Sequence, residues 1–312
     1  PYIAHEFSPP FRAERIVAVL TAGGPIPSEL PSGEPLPNGT APGERLTPEA
    51  ITALQGDTTS RAAQAWVRRL ARSGPFESDA ERARAVLAAW DGNLLPQSSA
   101  ALLYGYFRRA VAEALFVPLI GAAAWSWLTE TEVTTTHGMI SRWIANIVYA
   151  LDGAATPDGR PWEEVLRPAL TEAWRTAMAQ DGQDPTRWRW EARHATAARH
   201  PLSGRYPEHA HRLNPPRVAV GGDGDTIQAA SYLWGDRPDF PIVGLSVYRQ
   251  VVDLGDIAHA SYVIPGGVSG EPGSAHFADQ IEHWRTHRRI PMHYTPEDVR
   301  AAAVRSLTLT PS

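Results

Sequence analysis

A glycine- and aspartate-rich string, GGDGDT at residues 221–226, carries the densest group of candidate ligands in the chain. A loop of this kind cradles phosphate when it opens a helix, and two carboxylates two positions apart could ligate calcium. The residues that follow are instead typical of a strand, and the further oxygen ligands and distal glutamate of an EF-hand are missing. We therefore interpret the string as a structural turn, with a metal site as the alternative.

A serine and two groups of histidines suggest hydrolytic chemistry. The string GVSG around Ser269 resembles a nucleophile elbow, but its spacing is not G-x-S-x-G and no strand-to-helix switch brackets it. His283 and His287 are four residues apart on a predicted helix, a spacing that can bind metal. Because no H-E-x-x-H pair occurs, we interpret the histidines as exposed or capping residues, with a metal-dependent hydrolase as the alternative. The two groups are His194, His200, His209 and His211, and His276, His283 and His287.

The chain contains 11 tryptophans, most of them in helical patterns where they would fill a core. Trp188 and Trp190 are two positions apart, so on a strand they would lie on the same side and face either a core or a pocket.

Composition excludes several classes of function. The chain has 312 residues, 43% of them hydrophobic, which is enough for one large core or two smaller ones. Its formal net charge of -5 gives no indication of a nucleic-acid partner or an anionic membrane surface. The absence of cysteine excludes disulfides and thiolate catalysis. The most apolar stretch, Ala114 to Thr129, is shorter than the roughly 18–20 residues of a bilayer span, so we predict a buried helix and no membrane segment.

The order of the predicted elements indicates an α+β fold. Helical periodicity dominates residues 1–187, strand-like segments dominate 188–312, and a proline- and glycine-rich loop occupies 22–46. The predicted helices are Phe11–Leu20, one beginning at Thr47, Ser60–Arg72, Ala80–Trp90, Ser98–Leu115, Glu132–Leu151, Trp162–Gln180, Ser274–Arg288 and Pro296–Val304. The predicted strands are Val218–Val220, Ile227–Leu233, Ile242–Asp253, Ala260–Ile264 and Ser306–Thr310.

Eight short strings, in order along almost the whole chain, resemble the penicillin acylase (penicillin amidase) family. The departures are Glu191, where the family usually has glycine, and the proline-rich stretch Gly23–Gly43, which resembles a local insertion. The strings are PPFRAERI at 9–16, LQGDTTSRA at 54–62, AWDG at 89–92, WRW at 188–190 with His194 and His200-Pro201-Leu202, GGDGDT at 221–226, YRQVVDL at 248–254, PGGVSG at 265–270 and GSAHFADQ at 273–280.

This resemblance implies the C-terminal part of the β-subunit of an N-terminal nucleophile hydrolase, that is, part of an αββα sandwich. Such enzymes arise by autoproteolysis of a precursor, and the new N-terminal serine attacks an amide with its own α-amino group as general base. The resemblance further implies three features outside this chain: an α-subunit, the N-terminal part of the β-subunit, and calcium held mostly by upstream residues. It implies a periplasmic or secreted enzyme acting on small N-acylated molecules.

Carried over residue by residue, the resemblance assigns one site residue. Arg12, with Arg15 as the alternate, matches an arginine that in some relatives orients the oxyanion-stabilising asparagine and the substrate. A solvated charge at the start of the helix is the alternative interpretation of Arg12. The family order places the nucleophilic serine and that asparagine upstream of Pro1, which lacks a hydroxyl and cannot replace the serine. We therefore expect this chain to be inactive by itself. We also expect it to fold poorly by itself, because its strands would belong to sheets whose other members are missing. A catalytically silent homologue acting as a scaffold or interaction module remains the alternative.

Overall fold

The computed structural model describes residues 8–21, 46–130, 134–235 and 239–309. The proline- and glycine-rich loop predicted at 22–46 lies outside these ranges except for its last residue. Nothing in the structure tests the division of the chain at residues 187 and 188, which stays a prediction.

Helices build most of the first half of the chain. Thr47, Ser60 and Ser98 each cap a helix, because the side-chain oxygen of each accepts a hydrogen bond from the backbone N–H three residues later. The helices are α1 (Phe11–Thr21), α2 (Pro48–Gln55), α3 (Arg61–Ala71), α4 (Ser78–Ala88), α5 (Ser99–Ile120), α6 (Ala122–Glu130), α7 (Thr134–Asn146) and α8 (Trp162–Asp181).

The apolar stretch Ala114 to Thr129 is not the single buried helix that we predicted. Gly121, with a backbone φ of 82° that favours glycine, separates α5 from α6. Leu119 and Trp127 are also 61% and 67% exposed. Among the described residues, no helix is long and apolar enough to cross a membrane.

Aromatic residues join α3, α5 and α8 into one core. Trp66 of α3 meets Phe107 of α5 edge-on at 5.2 Å and Trp162 of α8 at 5.9 Å, a favoured geometry for ring pairs. Trp188 and Trp190 are both fully buried and belong to this core rather than to a pocket. They do not lie on a strand, however, because Trp190 opens a 3-10 turn.

The second half contains short strands in two antiparallel sheets, so the predicted α+β class is confirmed. One sheet pairs β1 (Ala230–Tyr232) with β2 (Ile242–Leu245). The other has the order β3 (Arg249–Val251), β4 (Ser261–Val263) and β5 (Ile290–Pro291). The remaining helices are α9 (Ala210–Leu213), α10 (Ile281–Arg285) and α11 (Pro296–Ala302).

Several predicted elements of this half are shorter or absent. The predicted strand Ile242–Asp253 is divided into β2 and β3, and neither Val218–Val220 nor residues 306–309 form a strand. The predicted helix Ser274–Arg288 is reduced to α10. The backbone of residues 274–277 instead turns back towards Gly267, where an added Cβ would lie 2.0 Å from the carbonyl oxygen of His276. The carbonyl of His276 accepts a hydrogen bond from the N–H of Ser269, so it is engaged by this loop and not by a helix.

Candidate functional site

A cavity of about 320 Å³ lies where the start of α1 meets α5, α7 and the β1–β2 sheet. This volume is at the lower end of the range for small-molecule sites. The described residues that line it are Ser8, Pro9, Phe11, Arg12, Arg108, Ser141, Arg142, Ala145, Gly224, Asp225, Ser231, Tyr232, Trp234, Val243 and Gly244.

The first turn of α1 carries Arg12 to the edge of this cavity. Its side chain is exposed and has no ion pair or hydrogen bond with any part of the chain that the structure describes. Phe11, next to it, is buried against Ala62 and Ala145 and fixes the beginning of α1 in place. The guanidinium of Arg12 is therefore available to a ligand in the cavity.

Arg15, the alternate candidate, has a structural contact. Its Nε and Nη2 atoms lie 2.8 and 2.7 Å from Oδ2 of Asp57, a carboxylate with no exposed side-chain surface. The other oxygen of Asp57 accepts a hydrogen bond from the backbone N–H of Thr59. Arg15 thus ties α1 to the segment between α2 and α3 and does not line the cavity.

Another part of the cavity wall is built around a buried ion-pair network. Arg108 of α5 donates to Oδ2 of Asp223 at 2.9 Å and to Oδ2 of Asp225 at 2.7 Å. Burial, followed by the charge of Asp225, raises the pKa of Asp223 to about 6. Burial opposes the charge of Arg108, but the neighbouring acidic groups outweigh it and raise the pKa of Arg108 well above its usual value. Arg108 therefore keeps its positive charge at neutral pH, beside the two carboxylates that it contacts.

The GGDGDT string is the turn that we predicted. The hydroxyl of Thr226 accepts a hydrogen bond from the N–H of Asp223 and donates to the carbonyl of Gln228, which closes the turn on itself. Gly222 has a φ of 79°, and a Cβ there would lie 2.5 Å from the Gln228 carbonyl oxygen. Because Arg108 pairs with both carboxylates of this turn, these carboxylates are poorly arranged to bind calcium.

Aromatic side chains also line the cavity. Tyr232 and Trp234 lie with their ring centroids 5.1 Å apart, and Nε1 of Trp234 donates to Oγ of Ser141 at 2.9 Å. Burial raises the pKa of Tyr232 to about 12, so its hydroxyl is neutral. The cavity lining thus combines aromatic rings with guanidinium groups, and the Arg108 guanidinium lies 5.5 Å from the centroid of the Trp234 ring.

The structure does not bring the histidines together. His194 is buried with its ring nitrogens 2.8 and 3.1 Å from the carbonyl oxygens of Val220 and Ala230. His283 is exposed on α10, whereas His287 lies beyond the end of α10 and is buried. Their predicted i,i+4 relation on one helix is therefore wrong. Within the described ranges, no three histidine, aspartate or glutamate side chains are grouped to hold a metal ion.

Ser269, the weak nucleophile candidate, is held in a loop. Its Oγ accepts a hydrogen bond from the N–H of Glu271, and its own N–H donates to the carbonyl of His276. It is not among the residues that line the cavity.

Sequence reasoning missed most of the cavity wall, including Arg108, Ser141, Arg142 and Trp234. One signal was present for Arg108, which follows a run of nine apolar or small residues from Ser99 to Phe107. A charged group beside such a run needs a partner, and the two aspartates of the turn were the obvious candidates.

The fold and the cavity together define an α+β chain with a ligand-sized, arginine-lined site. A model of the penicillin amidase family matches residues 1–301, and the chain belongs to this family. The predicted resemblance is therefore confirmed.

Two curated relatives extend this result. The penicillin acylase 2 proenzyme of Pseudomonas sp. strain SE83 is 31% identical over 314 aligned residues, which cover 100% of this chain and 37% of the proenzyme. The acyl-homoserine lactone acylase QuiP of Pseudomonas aeruginosa is 28% identical over 85% of this chain and 31% of its own length. The chain thus spans about a third of the length of these relatives.

Among solved structures, a thermostable penicillin G acylase from Alcaligenes faecalis matches 85% of this chain and 49% of its own. The TM-score is 0.49 and the sequence identity 16%.

Proposed function

We propose that this chain is the C-terminal part of the β-subunit of an amidohydrolase that cleaves the C–N bond of small N-acylated molecules. The observation that carries the proposal is the family match over residues 1–301, with relatives named penicillin acylase and acyl-homoserine lactone acylase. The cavity beside α1 supports it, since it has the volume and mixed polarity of a small-molecule site.

In this proposal the nucleophile is supplied by a part of the protein outside this chain. A serine at a processed N-terminus attacks the amide carbonyl, and its α-amino group accepts the hydroxyl proton. This proton passes to the leaving amine as the C–N bond breaks, and water then hydrolyses the acyl-serine ester to release the carboxylic acid. Arg12 orients the substrate and the oxyanion-stabilising asparagine from the edge of the cavity. Its planar guanidinium suits bidentate contacts with carbonyl or carboxylate oxygens.

Arg15 has a positioning role in the same proposal. Its ion pair with Asp57 fixes the rotation of α1 and hence the direction in which Arg12 points. A positioning role of this kind matters because small displacements of a substrate-binding group lower the rate markedly.

The remaining parts of the enzyme complete the site. An α-subunit and the N-terminal part of the β-subunit would cover the cavity, and the coverage of 37% of a proenzyme is consistent with this division. Calcium in the complete enzyme would be held by residues outside this chain, because Asp223 and Asp225 are already paired with Arg108. We propose a periplasmic or secreted location for the complete protein.

The first test is hydrolysis of a chromogenic phenylacetyl or acyl anilide by this chain and by the product of the complete gene. We expect turnover only with the complete protein, and loss of turnover when its N-terminal nucleophilic serine is changed to alanine. Activity of the 312-residue chain by itself would place the nucleophile within it and contradict the mechanism. An inactive complete protein would indicate a silent homologue.

The second test concerns Arg12 in the complete protein. We expect Arg12→Ala to lower kcat/KM by about 10- to 100-fold, in line with the loss of an orienting contact. Arg12→Lys should restore little, because an ammonium cannot reproduce bidentate contacts. The matched control is Arg72→Ala, which removes an exposed arginine paired with the exposed Asp152. Equal activities of the Arg12 and Arg72 variants would remove Arg12 from the site.

A further inference from the structure

A second group of basic side chains lies where α2, β3 and the segment after α10 meet. Arg249 of β3 is only 3% exposed and His287 only 4%, and Arg289 is half-buried beside them. Packing holds this corner tightly, since a Cβ added to Gly56 would lie 2.7 Å from Cε1 of His287. The group is separate from the cavity, whose lining it does not share.

Within the described ranges, every hydrogen-bond acceptor of this group is neutral. Arg249 donates from Nη1 to the carbonyl of Trp284 at 2.8 Å and to Nδ1 of His287 at 3.0 Å. Its Nε donates to Oγ of Ser246 at 3.1 Å. Arg289 donates from Nη2 to Oε1 of Gln55 at 2.9 Å. In the part of the chain that the structure describes, no carboxylate pairs with either arginine.

Four buried atoms of the group have no hydrogen-bond partner among the described residues: Nη2 of Arg249, Nε and Nη1 of Arg289, and Nε2 of His287. The three guanidinium atoms are donors. Because Nδ1 of His287 accepts from Arg249, the neutral imidazole carries its proton on Nε2 and is a donor there too. All four unsatisfied atoms therefore require an acceptor.

The electrostatics point the same way. Burial and then the charge of Arg289 lower the pKa of Arg249 to about 9. Burial, followed by the charge of Arg249, lowers the pKa of His287 to about 3, so the ring stays neutral. Two guanidiniums that share a buried corner without an anion are unfavourable, because their desolvation is not offset by an opposite charge.

We propose that Arg249 and Arg289 form a binding site for an oxyanion. A carboxylate or phosphate has only acceptor oxygens, fits the fork of a guanidinium, and would satisfy the unpaired donors on both arginines. The Nε2–H of His287 is a further donor at the same corner. Two sources supply this chemistry: a carboxylate from a part of the protein outside this chain, or a free inorganic anion.

The test measures the thermal unfolding midpoint, Tm, of the complete protein during a titration with inorganic phosphate at constant ionic strength. Wild type is compared with Arg289→Met, which removes the charge, and Arg289→Lys, which keeps it. The matched control is Arg285→Met on α10, since Arg285 is exposed and paired with Glu282.

A free anion predicts that phosphate raises the Tm of wild type and of Arg285→Met by about 2–4 °C and leaves that of Arg289→Met unchanged. A protein carboxylate predicts a Tm that does not respond to phosphate. In that case Arg289→Met lowers Tm by about 4–8 °C and Arg289→Lys recovers most of the loss.

Three results would overturn the proposal. The first is a Tm of Arg289→Met equal to or above that of wild type without any response to phosphate, which would mean that relief of repulsion outweighs any lost anion contact. The second is an equal loss in the methionine and lysine variants without a phosphate response, which would indicate only the hydrogen bond to Gln55. The third is an equal phosphate response in wild type and Arg289→Met, which would be a general salt effect. If Arg289→Met does not fold, Arg289→Gln, which also removes the charge, takes its place in these comparisons.

Discussion

Arg108 and Arg249 occupy similar surroundings but differ in their counter-charges. Both are buried, at 4% and 3% exposure, and each guanidinium lies over a tryptophan ring, at 5.5 and 4.5 Å from the centroid. Arg108 meets two carboxylates within 2.9 Å, whereas the acceptors that the described residues offer to Arg249 are all neutral. Burial lowers the pKa of Arg249 to about 9, and the charge of Arg289 lowers it further. Burial acts in the same direction on Arg108, but its acidic neighbours outweigh it and raise the pKa of Arg108. At similar burial, the local partners therefore decide how firmly an arginine keeps its proton.

The largest effect on stability should come from removing Arg108, the arginine that is paired with carboxylates. Arg108→Met leaves Asp223 buried without a positive partner, and breaking such a pair from one side costs about 3–5 kcal/mol. We expect a loss of this size in the free energy of unfolding, measured by urea denaturation of the complete protein. The cavity wall should loosen as well, because Asp225 loses its partner.

The control is the triple variant Arg108→Met with Asp223→Asn and Asp225→Asn, which removes all three charges together. It should recover part of the loss, because no uncompensated charge then remains buried. A cost below about 1 kcal/mol for Arg108→Met alone would mean that water or another group already neutralises the aspartates.

A smaller effect should appear on acidification, through the buried histidines of the two regions. The pKa of His194 is lowered to about 4, and that of His287 to about 3, in both cases mainly by burial. A histidine whose pKa is lower in the folded state than in the unfolded state binds fewer protons when folded. Its stabilising contribution is therefore complete above about pH 6.5 and is lost as the pH falls through the folded value.

As the pH falls from the unfolded pKa of about 6.5 to pH 5, each histidine loses roughly 1.4 kcal/mol of stabilisation per pH unit. The loss at pH 5 is therefore about 2 kcal/mol for each histidine. His194→Gln and His287→Gln should each flatten the fall in the free energy of unfolding between pH 7 and pH 5. Parallel profiles in wild type and both variants would contradict the assignment. A flattening in only one variant would show which region carries the acid sensitivity.

The difference between the two arginines could not be read from the sequence. The α+β class, most helix positions and the family followed from periodicity, cap residues and ordered strings, which are local properties. Arg108 and Asp223, by contrast, are 115 residues apart in the chain, and their contact exists only in three dimensions. The same is true of Arg289 and Gln55, 234 residues apart. Arg12 was named from resemblance, but its place at the edge of a cavity required the structure.

Short elements of the second half were the least predictable, for a related reason. The β-branched run from Ile242 to Asp253 has one continuous pattern, yet it pairs with two different partners, β1 and β4. Tertiary pairing, which a local pattern does not contain, divides it in two. His287 illustrates the same limit, because a φ of 58° places it beyond α10 and turns it into the buried corner.

The smallest effect, and the sharpest test of the comparison, should come from converting the second region to resemble the first. Gln55→Glu places a carboxylate where Oε1 now accepts from Arg289 at 2.9 Å. We expect Gln55→Glu to exceed Gln55→Met in the free energy of unfolding by about 1–2 kcal/mol at pH 7, since charge-assisted hydrogen bonds are stronger than neutral ones. The advantage should disappear below about pH 4, where the new carboxyl group is protonated.

Because the carboxylate introduced by Gln55→Glu competes with any anion at this corner, it should also reduce the rise in Tm that phosphate causes. If the free energy of unfolding of Gln55→Glu does not exceed that of Gln55→Met at neutral pH, the corner already holds an anion. Arg249 and Arg108 would then differ in which anion neutralises them and not in whether they are neutralised.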